Sequence, residues 1–298
     1  MQNVVVPETF EIQSGRVDSK WAEYGLNQVE IKLRGEPTGY KLIVRNSDPI
    51  AITSKGYVLI PNEIALQAAD LAAERLGARK FGDFRGPWFC KTADHVMMNA
   101  EQTRMVALYA FDEAVEIAPG DGIQLGFSVR NGIDGGAAFG TGLFTFRHAC
   151  ANMFLMKAWR VKGMSFDDRQ VLSWIYKIHY GNPAELLTNV DEIIPVVEDV
   201  VRSGVQVVQR LRAMTETKLA EATAERIMAL PAKYLEKLQG FEVKKKAGVK
   251  TEVEFVGDVT EYQVWNDLTE LLTHDAKGKW DTKMQQYAVV QRALFGAD

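Results

Sequence analysis

Residues 126–154 read GFSVRNGIDGGAAFGTGLFTFRHACANMF, and the fold turns on how this stretch is taken. It holds six glycines, five phenylalanines and two arginines. A phosphate-binding loop is one reading and a glycine-bearing sheet is the other. A Walker loop requires GxxxxGK[ST], and GIDGGAAFGTG has neither the lysine nor the hydroxyl in register. A dinucleotide fingerprint needs GxGxxG between a strand and a helix of a βαβ unit. Gly140-Thr141-Gly142 instead sits inside a run that reads as strand throughout.

The flanks support the sheet. IQLGFSVR (123–130) alternates strictly, with Ile123, Leu125, Phe127 and Val129 on one side and Gln124, Ser128 and Arg130 on the other. That period predicts a half-buried antiparallel strand. TRMVALYAFDEAVEI (103–117) reads as the strand before it, bulged near Asp112-Glu113, with PGDG (119–122) as the turn. Asn131-Gly132 opens a hairpin connection longer than two residues. AAFGTGLFTFRH (137–148) is a third strand, and ACANMFLMKAWRVKG (149–163) reads as a helix stopped by Gly163. The expected core is a β-β-β-α meander. Gly140 and Gly142 leave a flat patch on the third strand. Side chains of the following helix, such as Phe154 or Trp159, would fill it, or a nucleic-acid backbone or base would.

Further out, residues up to about 60 look irregular with short strands in KLIVRN (41–46) and PIAITSKGYVLIP (49–61). NEIALQAADLAAERLG predicts a helix capped by Asn62 and stopped by Gly77, with Ile64, Ala68, Leu71 and Arg75 on one face. FGDFRGPWFCK (81–91) reads as a loop of rings and cations. From Ser165 the chain reads as mostly helical, with breaks at Pro195 and Pro231. A basic ribbon follows at 241–255, and Thr260-x-x-Gln263 is a capping box opening a helix. The expected class is α+β: an antiparallel meander with packed helices over 1–164, then a mainly helical region over 165–298 packed on it.

Composition narrows the chemistry. The 298 residues carry a formal net charge of −4, so the chain as a whole is not a polycation that would bind nucleic acid indiscriminately. The charge is uneven: from Ile123 to Met164 stand Arg130, Arg147, Lys157, Arg160 and Lys162 against Asp134 alone. An acid-poor window of this kind favours an anionic partner, although cations closing a helix also answer its dipole. Arg85 and Trp88 lie in a loop that mixes rings with cations, a combination that stacks and neutralises single strands; a hydrophobic plug over the sheet is the plainer use of such rings.

Cys90 and Cys150 lack metal-ligand spacing, and His95, His148, His179 and His274 are scattered, so no metal site is expected. There is no GxSxG or HExxH and no paired carboxylate outside helix first turns and a bulge, so no catalytic residue is assigned and an enzyme is not expected. No cofactor is expected. The first residues, MQNVVVPETFEIQ, lack a basic n-region, and no apolar run reaches the roughly 18–20 residues of a bilayer span. A cytoplasmic location in the host cell and no membrane partner are expected.

NGIDGGAAFGTGLFTFRHACANMF resembles the signature of the phage- and plasmid-associated Domain of Unknown Function 932 family. A strand ending in an asparagine (Asn131) and a DG-small run (Asp134, Gly135) precedes an Arg-x-x-Cys-x-Asn element, matched by Arg147, Cys150 and Asn152. SKGYVLIPNEIALQAADLAAERLG resembles the upstream strand-to-helix segment and YQVWNDLTELLTH the C-terminal helix, over roughly residues 40–295. Asn152 is followed by Met153 where the family often has glycine. The β-β-β-α core is similar in turn to the recombination-mediator superfamily of single-strand annealing proteins. That resemblance implies a homo-oligomeric ring or filament whose basic groove holds single-stranded DNA, with a phage exonuclease or host single-strand-binding protein as possible partners. Arg130, Arg147, Lys157, Arg160 and Lys162 would contact phosphates, and Arg85 and Trp88 would orient the strand. The competing class is a non-enzymatic interaction or assembly factor, for which the acidic helical half would serve as surface.

Overall fold

The computed structural model describes residues 12–82, 90–93, 95–137, 139–147, 152–155, 190–244 and 252–275, with 286, 289–290 and 292–294 near the C-terminus. It is mixed α+β, and every strand pairing is antiparallel.

An N-terminal sheet has the order β1-β2-β3-β4, from Ile12–Asp18, Leu26–Leu33, Glu36–Arg45 and Asp48–Ser54. The segment expected to be irregular is therefore a regular meander. Its sequence alternation is blurred because register shifts interrupt all three pairings, and those of β1–β2 and β3–β4, each one residue, flip the side-chain phase. Positive φ at Arg34, Gly35, Asn46 and Ser47 makes the tight reversals.

The large sheet runs β11-β10-β9-β8-β7-β6. Its strands are Asn152–Leu155, Gly140–Arg147, Asp121–Gly132, Arg104–Ala118, Val96–Met98 and Cys90–Ala93, and β5 (Arg79–Lys80) pairs with Tyr109 and Ala110 in the middle of β8. The expected three-stranded meander is β8-β9-β10. Its bulge is where the sequence put it: Ala110 pairs with Gly126 and Ala114 with Gln124, so Phe111, Asp112 and Glu113 stand opposite Leu125. The Phe111 carbonyl, turned out of the ladder, accepts from Gln124 Nε2 at 2.6 Å. This satisfies a backbone group that the bulge would otherwise orphan.

Two expectations about this sheet change. Asn152–Leu155 extends it as a fourth meander strand, with Arg147 opposite Asn152, instead of opening a helix. A short apolar run such as NMFL suits either state, and the open edge of β10 offers it backbone partners. The sheet is also covered on both faces. Met105, Ala107 and Tyr109 enter the main core, while Val106, Leu108 and Ala110 enter a second cluster with Phe81, Phe144 and Phe146. Gln124 and Ser128, expected to face water, are buried, and Ser128 Oγ donates to the Gly142 carbonyl at 3.2 Å.

Helix α1 (Asn62–Leu76) ends as expected at Gly77, whose φ of 69° lets its N–H reach the Ala73 and Glu74 carbonyls. Asn62 gives no capping bond; its side chain is drawn into the tertiary contacts described below. The buried stripe is Ile64, Ala65, Ala68, Ala69, Ala72 and Ala73, and Leu71 is exposed. Small residues let α1 lie close to α2 (Val190–Glu216), and both lie against β8 and β9. At Gly204 of α2, a Cβ would meet the Leu125 and Leu143 side chains at 3.1 and 3.2 Å.

Pro195 does not break α2; only the bond to the Asp191 carbonyl is forfeited close to the helix start. Short helices α3 (Glu221–Met228) and α4 (Ala232–Leu235, entered through Pro231) follow, then the expected ribbon, β12 (Phe241–Lys244) with β13 (Glu252–Phe255). Helix α5 (Glu261–Glu270) carries both bonds of its Thr260–Gln263 capping box and buries Tyr262, Trp265 and Leu268. One apolar cluster runs from Trp21 to Leu294, so both halves of the chain share a core.

Candidate nucleic-acid interface

The β8–β10 meander positions both arginines of the opening stretch and sends them apart. Arg130 is paired with Gly140, and Arg147 with Ile123. The seven-residue offset along β9 spans about 23 Å, and an odd offset puts the two residues on opposite faces. The structure does not bring Arg130 and Arg147 into one patch.

Arg147 faces the main core and is held by a carboxylate. Its Nε and one terminal nitrogen each donate to Asp121 at 2.6 Å, and its other terminal nitrogen donates to Asn266 Oδ1. Tyr262 donates its hydroxyl to Asp121 at 2.6 Å, and its ring lies 5.6 Å from the guanidinium. Burial on its own would raise the Asp121 carboxyl. The hydrogen bonds from Arg147 and Tyr262, with the charge of Arg147, outweigh it and hold the pKa below the ordinary value. Burial, then the bond to Asp121, pushes the Tyr262 phenol up. This network fastens the ends of β9 and β10 to α5.

Arg130 lies on the other face among small residues. Its cross-strand neighbours are Val106 and Gly140, Gly132 and Ser128 flank it along β9, and Arg104 is diagonal to it through the Arg104–Gly132 pair. Gly142, opposite Ser128, continues the run of glycines, all of them buried, and Ala137 fills the space a Gly132 side chain would take. Burial draws the Arg130 guanidinium down to about 10, so it stays charged at neutral pH. Further along this face Phe81 packs against Phe144 and Phe146 with tilted rings, centroids 4.9 and 4.8 Å away.

The remaining motif residues form a hinge between the two sheets. Buried Asn131 donates to the Ile60 carbonyl at 2.8 Å and to Asn62 Oδ1 at 2.9 Å. Asp134 accepts from Arg104 Nε at 2.8 Å, Thr103 Oγ1 at 3.0 Å and the Gly136 N–H at 2.8 Å. Gly135 adopts φ 74° beside Thr53 of β4. Tyr57 donates to the Gly132 carbonyl at 2.6 Å, and burial pushes its phenol up to about 12. Arg45 of β3 donates to the Glu101 and Gln102 carbonyls. The asparagine and the DG run therefore make the joint that fixes the β9–β10 loop on α1 and the N-terminal sheet.

Arg85, Trp88, Cys150, Lys157, Arg160 and Lys162 lie outside the described residues, as do Lys245, Lys246 and Lys250 of the ribbon; Asn152 is described by its backbone. Lys244, also expected to add basic charge, pairs with Glu254 at 2.5 Å.

A polar cluster escaped the sequence reading. Tyr109 donates to Asp70 at 2.7 Å, Lys80 donates to the same carboxylate at 2.9 Å, and His95 Nε2 stands 3.5 Å from both Tyr109 Oη and Asp70 Oδ1. Its members come from α1, β5, β7–β8 and their connections, and no local spacing announces it. Burial and the bond to Asp70 raise the Tyr109 phenol.

Among the described residues no group of three or more His, Cys, Asp or Glu could hold a metal ion, and no helix is long and apolar enough to cross a membrane. No family model, curated protein or solved structure matches the chain.

Proposed function

We propose that the chain binds single-stranded DNA across the β8–β10 meander and anneals complementary strands as a homo-oligomer, without nucleotide hydrolysis, during phage or plasmid recombination in the host cytoplasm. The observation that carries the reading is Arg130. A charged guanidinium stands beside a lane of Gly132, Gly140 and Gly142 on an antiparallel face. The glycines are themselves buried, Gly132 against Ala137, so the contact falls to the guanidinium, and a partly buried cation answers a phosphate more strongly than a fully exposed one. Arg85, Trp88, Lys157, Arg160 and Lys162 are assigned to the same strand on charge and ring chemistry. Arg147 is assigned the positioning of the meander, since its guanidinium is spent on Asp121. The resemblance to single-strand annealing proteins supports the same function, with an exonuclease or single-strand-binding protein as partner.

The test is retention of a labelled single-stranded oligonucleotide across a salt series. Affinity should fall steeply with salt, because each neutralised phosphate releases a counterion. Arg130→Gln should weaken binding and reduce the salt slope by about one, and Arg147→Ala should chiefly lower thermal stability. Absence of salt-sensitive retention by the wild-type chain would sink the reading. A non-enzymatic assembly factor is the second reading, favoured by an exposed apolar face on the N-terminal sheet.

A further inference from the structure

The N-terminal sheet turns an apolar row outward. Cross-strand partners share a face, so the pairs Val17–Val29, Val29–Leu42 and Leu42–Ile52 draw one apolar row across all four strands. Alternation places Ile31 and Tyr40 on the same side. Most charged residues of the inner strands alternate with the row: Glu30, Lys32, Lys41 and Arg45 belong to the other side, where Leu26 and Ile43 are buried in the core, and Glu36 shares the row's face at the β2–β3 turn, opposite Leu33. Yet Val17, Tyr40 and Ile52 are 52, 55 and 65% exposed. Isolated apolar residues at a surface are ordinary, whereas a contiguous row of them marks a contact.

We propose that this face docks on the same face of a second copy, stacking two N-terminal sheets across a two-fold axis. An uncharged row offers nothing to select a phosphate or a charged peptide, and it is complementary to itself, as a two-fold interface requires. The size fits as well. Four strands about 4.8 Å apart, with roughly eight residues each at ~3.3 Å, cover about 500 Å². Two copies then bury about 1,000 Å², near the lower bound for a specific interface. That predicts a reversible dimer dissociating in the micromolar range. The stacked sheets would lie about 10 Å apart, as in a sandwich. The inference rests on the sheet and stands whether or not the DNA reading does.

The experiment is sedimentation velocity on the full chain from low micromolar to about 100 μM, a range that brackets the expected constant. Wild type should pass from monomer to dimer, whereas Ile52→Lys and Val17→Lys should stay monomeric with unchanged melting temperatures. Val205→Lys, at an exposed apolar position of α2, should dimerise like wild type. A wild-type monomer throughout overturns the proposal, as does an assembly of any size that Ile52→Lys leaves unchanged. Oligonucleotide retention measured on the same variants separates the two readings: binding kept while dimerisation is lost leaves the annealing assignment standing and supports the sheet contact.

Discussion

At the scale of single residues, Arg147 and Asp121 bear the most consequence. Their side chains are 15 and 11% exposed, so truncating one leaves the other charged with little water to stabilise it. Arg147→Ala should cost about 3 kcal/mol in urea unfolding at pH 7. The pH dependence has a definite sign. Asp121 is held below its ordinary value in the folded chain, so its contribution is complete above the unfolded value near pH 4 and is lost as pH falls through the folded one. The stability gap between wild type and Asp121→Asn should therefore narrow as pH drops below about 4; a gap that widens there would contradict the assignment. Arg147 looked in the sequence like a cation in an acid-poor window. Its partner Asp121 is 26 positions away and Tyr262 is 141 from Asp121, distances at which sequence pattern carries no information.

At the scale of elements, the β8 bulge and the α5 cap make contrasting demands. A Cβ at Gly126 would overlap the Tyr109 carbonyl oxygen and come within 2.9 Å of Ala110 Cα, both backbone atoms of β8. Neither can move without disturbing the bulge. Gly126→Ala should thus cost 3 kcal/mol or more, about the top of the range for overpacking, read as a large fall in melting temperature. The cap is local and additive: Thr260→Ala removes the acceptor for the Gln263 N–H and should cost about 1 kcal/mol, measured by chemical denaturation. The capping box, Gly77 and the three meander strands were legible because each is written within a few residues of itself. The strand at 152–155 was not, because an apolar tetrapeptide takes its state from the edge it meets.

At the scale of the whole molecule, the shared core implies cooperative unfolding. Trp21 of the N-terminal region and Trp265 of α5 belong to one apolar cluster, and the Asn131–Asp134 joint ties both sheets together through Tyr57 and Arg45. Near-UV and far-UV circular dichroism should report the same thermal midpoint. Separate midpoints would mean that the halves fold independently, as the expected boundary at residue 164 allowed. The exposed row on β1–β4 also belongs to this scale, since register shifts hide it from any reading by alternation.

By itself the sequence determined the α+β class, the antiparallel order of β8, β9 and β10, the bulge between them, the C-terminal stop of α1 and the capped start of α5. Periodicity, turn residues and caps act over a few positions, and they are the same physics in the chain as in the fold. The tertiary structure decided which faces are covered, which arginine meets a carboxylate, and where the DG motif is spent. Those outcomes depend on which distant groups arrive opposite one another. The opening stretch shows both: its glycines marked a sheet from the start, and only the folded register put Arg130 beside them and Arg147 on the far side.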